Sequence, residues 1–314
     1  MTTMKPVLLG LLLSVTLSGA LAAADTKPVS ANLTAAQIVE KHVAARGGLQ
    51  AWHAVQTLSV TGKIGAGTGD SAERSTRLTR SGMGASVKHA AKTAAAEAQK
   101  PESQEVQLPF RLEMKRPRKS RLEIDFAGRT AVQVFDGQSG WKLRPYLNRN
   151  DVEPFTEDEA RSEAVKADLD GPLVDYAVKG TRVSLDNVEP VDGHNAYKLK
   201  LIMKTGDVQH IWIDAQTFLD VKIEGIPRRM DNKMRNVWIY QRDFRPVQGL
   251  MVPFVYETAI DGNPRTHRMT VDTVAVNRTL DEQRFAKPTM LTGAPPPVAA
   301  ASLAAALRTQ SNTK

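Results

Sequence analysis

The sequence predicts a mainly β, α+β protein built on one continuous antiparallel sheet, curled or closed into a barrel. Three observations predict it. Apolar and polar residues alternate with a period of two in run after run, as half-buried strands require. Asp-Gly pairs at 136–137, 192–193 and 261–262 separate several of those runs. That dipeptide tolerates the positive φ angles of tight hairpin turns. Capped helical signals occur in two stretches.

The first helix opens at Thr34-Ala35-Ala36-Gln37, a capping box in which Thr34 accepts from a backbone N–H one turn on and Gln37 reaches back. It runs to about Arg46, with Ile38, Val39, His42 and Val43 on one side, and Gly47-Gly48 ends it. A short turn carrying Leu49 and Trp52 leads into the first strand. There Leu58, Val60, Gly62 and Ile64 alternate with Ser59, Thr61 and Lys63. The alternation returns at Phe110–Met114, Leu122–Phe126, Tyr197–Met203, Leu219–Ile223 and Leu250–Ile260. On the order of eight or more short strands, regularly spaced, make a sheet the economical reading. The second helix is expected over 155–169: Thr156 caps it, Glu157, Asp158 and Glu159 fill its first turn, and Gly171-Pro172 stops it.

Three segments stand apart. Residues 1–22 read as a cleaved signal peptide: Lys5 precedes an apolar run from Val7 to Leu21, and Ala20-Leu21-Ala22 offers a small-residue cleavage site. The other reading is a lone membrane anchor. Residues 81–106, rich in Ala, Gly, Lys, Gln and Ser, form an insert, either a flexible loop or a short helix around 88–99. Residues 289–314 are a Pro- and Ala-rich tail. A single domain is expected over 30–288.

Export places the mature chain in the periplasm. The chain has no cysteine, so it carries neither a lipidated N-terminus nor disulfides. It holds 42 Lys+Arg against 34 Asp+Glu, a net charge of +8. Such a balance suits lipid headgroups or a membrane surface, and equally serves plain solubility. Nucleic acid is not expected as a partner: no zinc-finger or RNP motif is present, and aromatic residues make up only 5%.

The chain shows no H-E-x-x-H, no G-x-S-x-G elbow and no phosphate-binding loop. The six histidines include no pair at metal-ligand spacing, so neither a metal nor a cofactor is expected. The expectation is therefore a protein that is not an enzyme. A constellation built from distant residues escapes such a search, and His210 with Asp214 is the pair to watch.

Four segments in order carry a family resemblance. They are Lys115-Arg116-Pro117 followed by Arg121 and Leu122; Val134–Pro145 with its Asp136-Gly137 and Trp141; Ile211–Ile223 with its acidic turn; and Val271–Pro288 with Asn277, Leu280, Phe285 and Pro288. Together with the N-terminal helix, over most of 33–288, the chain resembles the LolA/LolB family of periplasmic lipoprotein carriers. The resemblance implies an incomplete antiparallel β-barrel with a helical lid over an apolar cavity. It implies lipid or lipoprotein acyl chains as cargo, an inner-membrane transporter as donor, and a monomer. It also singles out Arg116, the matching position of an arginine that contacts the lid and is tied to cargo release.

Strand parity then assigns the cavity lining to Leu112, Met114, Leu122, Ile124, Val132, Val134, Trp141, Leu199, Leu201, Met203, Trp212, Val221, Ile223, Phe254 and Tyr256. The alternative is an ordinary closed core, and a one-residue slip in register moves a whole strand to the other face. Trp212 and Trp238 fit the back of the sheet equally well. The function expected is a periplasmic carrier moving acyl chains towards the outer membrane. An envelope sensor or interaction protein using the same groove, or an unrecognised hydrolase, are the alternatives.

Overall fold

The computed structural model describes residues 33–65, 106–126, 128–145, 149–230 and 232–289. The expected signal peptide, nearly all of the 81–106 insert and almost the whole tail lie outside the described residues.

Six strands make one half of the sheet: β1 (Thr57–Gly65), β2 (Gln107–Lys115), β3 (Lys119–Phe126), β4 (Arg129–Phe135), β5 (Gly140–Arg144) and β6 (Arg149–Pro154). Seven make the other: β7 (Arg182–Val191), β8 (His194–Ile202), β9 (Val208–Asp214), β10 (Asp220–Met230), β11 (Lys233–Val247), β12 (Leu250–Ile260) and β13 (Asn263–Val276). The sheet order is β6-β5-β4-β3-β2-β1-β13-β12-β11-β10-β9-β8-β7. Every neighbour in space is a neighbour in sequence, except that β1 pairs with β13. The sheet is therefore an up-and-down meander that curls back on itself and stays open at one seam, between β6 and β7. An incomplete antiparallel barrel is what the residues form.

Among the described residues three α-helices accompany it: α1 (Ala35–Ala45), α2 (Leu49–Ala54) and α3 (Glu157–Lys166). The capping box expected at Thr34 is present, with Gln37 N donating to Thr34 Oγ1 at 3.3 Å, and Thr156 caps α3 with a second one, accepting from Glu159 N at 3.2 Å. The turn expected at Leu49–Trp52 is α2. Gly47 sits at φ +114, and a side-chain carbon there would meet the Gly249 carbonyl oxygen at 2.3 Å. That close approach seats the α1–α2 junction on the β11–β12 turn, where Met251 N donates to Arg46 O at 3.1 Å. Gly62 serves a similar end: a Cβ there would lie 2.0 Å from the Thr270 carbonyl, at the bulge where β1 crosses β13.

Register fixes two faces. Val60 lies opposite Leu112 and Val274, Leu112 opposite Leu122, and Met269 opposite Tyr256. These residues share the inner face, where Val60, Leu108, Phe110, Met114, Ile124, Phe126, Leu250, Val252, Phe254 and Val271 form the main core. Trp52 and Val55 at the end of α2, with Leu169 and Val174 beyond α3, complete that same cluster. The helices thus lie over the inner face as a lid.

The outer face carries two smaller clusters. Val132, Val134 and Leu143, with Trp141 beside them, are covered by Leu280 and Phe285 of the C-terminal 3₁₀ turn Glu282–Phe285. Val191, Ala196 and Trp212 are joined by Val221, Trp238 and Tyr240. Among the described residues no helix is long and apolar enough to cross a membrane.

Candidate functional site

The site is the apolar inner face, its lid and the rim between them. Arg116 stands at the β2–β3 turn on that rim. Its Nε donates to the Val55 carbonyl at 2.5 Å and its Nη2 to the Trp52 carbonyl at 2.9 Å. These are carbonyls at the C-terminal end of α2, the negative end of its dipole, and the Trp52 carbonyl also accepts from Val55 N at 3.1 Å. Its other contact is a bidentate fork onto Asp170, at 2.8 and 2.5 Å. The Asp170 side chain is 7% exposed and that of Arg116 28%. The guanidinium therefore ties α2 to the segment after α3, and the Asp170 carboxylate holds its pKa above the ordinary arginine value.

Other bonds hold the lid. Trp52 Nε1 donates to Arg46 O at 3.1 Å, and the Arg46 guanidinium lies 4.2 Å over the Trp52 ring. Asn277, just past β13, accepts from Gln56 N at 2.7 Å and donates to Ala54 O at 3.0 Å. Lys142 Nζ donates to Glu159 of α3 at 2.5 Å, and Ser120 Oγ to Glu163 at 2.9 Å. All of these are polar contacts around the margin, whereas the surface the lid covers is apolar.

Beside the lid runs an open apolar groove of about 450 Å³, between α1, the start of α2 and residues 173–178. Val39, Val43, Leu49, Leu173, Tyr176 and Val178 are among its walls, with Glu40 and Asp175 at its edges. Its size falls in the range of about 300–1,000 Å³ common for small-molecule sites. His53 Nε2 and Asp175 Oδ2, 2.5 Å apart, link α2 to the 173–178 segment.

A small polar group on the inner face joins Asp220 of β10 and Gln241 of β11, near His42 of α1. Asp220 Oδ2 accepts from Gln241 Nε2 at 3.0 Å, whereas its Oδ1 has no partner among the described residues. His42, 2% exposed, lies 2.9 Å from the Phe218 carbonyl through Nδ1, so Nδ1–H donates to it. Burial pushes its pKa down, against the opposing pull of Asp220. Burial likewise pushes the Tyr256 phenol up to about 12.

The expected lining residues divide between the faces. Leu112, Met114, Leu122, Ile124, Leu199, Leu201, Ile223, Phe254 and Tyr256 face inward by register. Val132, Val134 and Trp141 do not: they pair with Glu123, Arg121 and each other on the outer face, under Leu280 and Phe285. Trp212 and Val221 also belong to the outer face, in the cluster with Val191 and Ala196. Trp212 meets Trp238 edge-on at 5.6 Å, with Lys222 Nζ 4.4 Å from both rings. Met203 lies past the end of β8, in the β8–β9 turn.

His210 and Asp214 are not brought together. His210 Nδ1 lies 2.5 Å from Glu224, whereas Asp214 Oδ1 accepts from Gln216 N, Thr217 N and Thr217 Oγ1 to close the β9–β10 turn. Among the described residues no cluster of His, Asp and Glu is arranged to hold a metal. No local pattern in the sequence marks Asp170 or the pairing of Asp220 with Gln241.

No family model matches the chain, and no curated protein matches it either. Solved structures do. A LolA superfamily protein from Nitrosomonas europaea is similar at 14% identity and a TM-score of 0.48, over 81% of this chain and 98% of that one. A DUF1329 family protein from Desulfovibrio piger is similar at 10% identity and 0.49, over 80% and 97%. A putative outer membrane lipoprotein-sorting protein domain from Vibrio parahaemolyticus is similar at 10% identity and 0.45, over 80% and 95%. These are likenesses of fold, and a functional reading has to come from the residues.

Proposed function

We propose that this protein is a non-enzymatic carrier that shields lipid or lipoprotein acyl chains against the inner face of its open barrel. One observation supports this reading above the rest. The lid residues Trp52, Val55, Leu169 and Val174 occupy the same apolar cluster as the inner-face strands, while polar bonds ring its margin. Lifting such a lid exposes apolar surface that an acyl chain can cover instead. Each CH₂ removed from water contributes about 0.8 kcal/mol. Arg116 acts as the latch: cargo entry breaks its bonds to the Trp52 and Val55 carbonyls, and closure restores them. Leu112, Met114, Leu122, Ile124, Phe254 and Tyr256 line the space on the strand side. The working place is the periplasm, the protein acts as a monomer, and an inner-membrane transporter loads it.

The test is native mass spectrometry of the mature protein purified from its own envelope, followed by extraction of what is bound. A stoichiometric acylated species supports the carrier and names its cargo class. A clean apo mass, with no uptake of added lipids or lipopeptides, overturns it.

A further inference from the structure

The far end of the β10–β11 hairpin contributes no residue to the main core. Pairing of β10 with β9 stops at Ile223 opposite Ile211, and pairing of β11 with β12 stops at Val237 opposite Ile260. Past those points Asn236 O still accepts from Asp261 N at 3.0 Å, and beyond Asn236 only the two strands of the hairpin pair: Arg228 with Arg235, Arg229 with Met234 and Met230 with Lys233. The hairpin therefore runs past both neighbours as a two-stranded ribbon, and Asp231 in its turn lies outside the described residues. Isolated two-stranded ribbons are marginal in water, so this extension adds little to the fold.

Its composition suits something other than water. The side chains of Arg228, Arg229, Lys233 and Arg235 have no ion-pair or hydrogen-bond partner among the described residues. Elsewhere arginines such as Arg116, Arg121, Arg242 and Arg284 each sit within 4.0 Å of a carboxylate. Arg228 stands directly opposite Arg235, an arrangement of like charges that weakens a sheet. Burial lowers the pKa of Arg228, and no anion opposes it. Ile226 and Met234 on the same ribbon are 56% and 58% exposed.

We propose that the β10–β11 ribbon is a membrane-docking element that seats on an anionic lipid surface. Phosphates neutralise the unpaired cations and relieve the opposed arginines, while Ile226 and Met234 enter the acyl boundary. Cations with exposed apolar side chains are the combination that binds the headgroup region. Cations on both faces of the ribbon suit insertion by its tip rather than contact along one face. A nucleic-acid surface is disfavoured because residues 226–236 include no aromatic side chain on which a base can stack. The inference stands on the ribbon alone and does not depend on acyl-chain binding.

The experiment is co-sedimentation of the protein with vesicles of phosphatidylcholine, alone or mixed with phosphatidylglycerol. The protein should bind only the mixed vesicles, and less as salt rises. R229Q with K233Q removes two exposed cations and should lower partitioning about 30-fold, near fivefold for each. I226S with M234S should lower it further at high salt. R278Q with K287Q removes the same charge far from the ribbon and should bind as the unaltered protein does. A thermal melt checks each variant, and R228Q with R235Q gives a second pair. Absent or equal binding to the two vesicle types overturns the proposal, as do equal losses in the ribbon and control variants. Unchanged binding of the apolar pair overturns insertion. Uptake of an acyl probe in solution, measured alongside, tells failure of docking from failure of the carrier reading.

Discussion

Arg116 and Arg228 both stand near hairpin turns, but at opposite ends of the sheet. Arg116 forks onto a buried carboxylate and two helix carbonyls. Arg228 faces another arginine. At the lid end His53, Arg116 and Lys142 each meet a carboxylate, and the contacts there hold segments that have to stay together. At the ribbon end charges are left unmatched, at a place where the fold loses little by it. The difference separates charge used for folding from charge left available to a partner.

A series of substitutions and one change of pH test that contrast. Trp52→Ala empties the centre of the lid, where Trp52 is 2% exposed. It should cost about 3–5 kcal/mol by urea denaturation. Arg116→Leu leaves the Asp170 carboxylate buried without its partner. It should cost about 2–3 kcal/mol, below the full price of a deeply buried pair because Arg116 retains some solvent. Arg116→Lys should recover part of that loss but not the fork. Acidification comes next. Burial holds His42 below its ordinary value of 6.5, so the unfolded chain binds the proton first as pH falls through that value. Stability is complete above about pH 6.5 and declines below it. Melting temperatures between about pH 8 and pH 5 should show the decline, and His42→Gln should flatten it. Arg228→Gln closes the series. It should shift stability by no more than about 0.5 kcal/mol, and by a small gain if repulsion from Arg235 is felt. A loss as large as that of Arg116→Leu would erase the contrast between the two ends.

Much of the fold could be read in the chain, and its gaps have physical causes. β1, β2, β3, β8 and β12 declare themselves by clean alternation. β7 and β11 do not. In β7 the register shifts between Leu185 and Asn187, which breaks the period of two. In β11 Val237 and Ile239 face inward while Trp238 and Tyr240 pack outward, so both faces are apolar. The same ambiguity governs the lining. β4 buries Ala131 and Phe135 on one face and Val132 and Val134 on the other, so hydrophobicity alone cannot tell which is inside. Arg116 drew notice only through resemblance to a family. Its partner Asp170 lies 54 residues away, in a segment whose course no local rule specifies.

The pairing of β1 with β13 has a bearing on how the chain reaches this state. Thr61 and Thr273, bonded through their hydroxyls, are 212 residues apart in sequence. A chain emerging N-terminus first therefore leaves one edge of β1 unpaired until almost the last strand has appeared. Such long-range closure slows folding and leaves a strand edge open to wrong partners meanwhile. A circular permutant with new ends in the β6–β7 seam and the old ones joined would about halve that separation. It should reach the native sheet faster, and aggregate less while folding, than the natural order does.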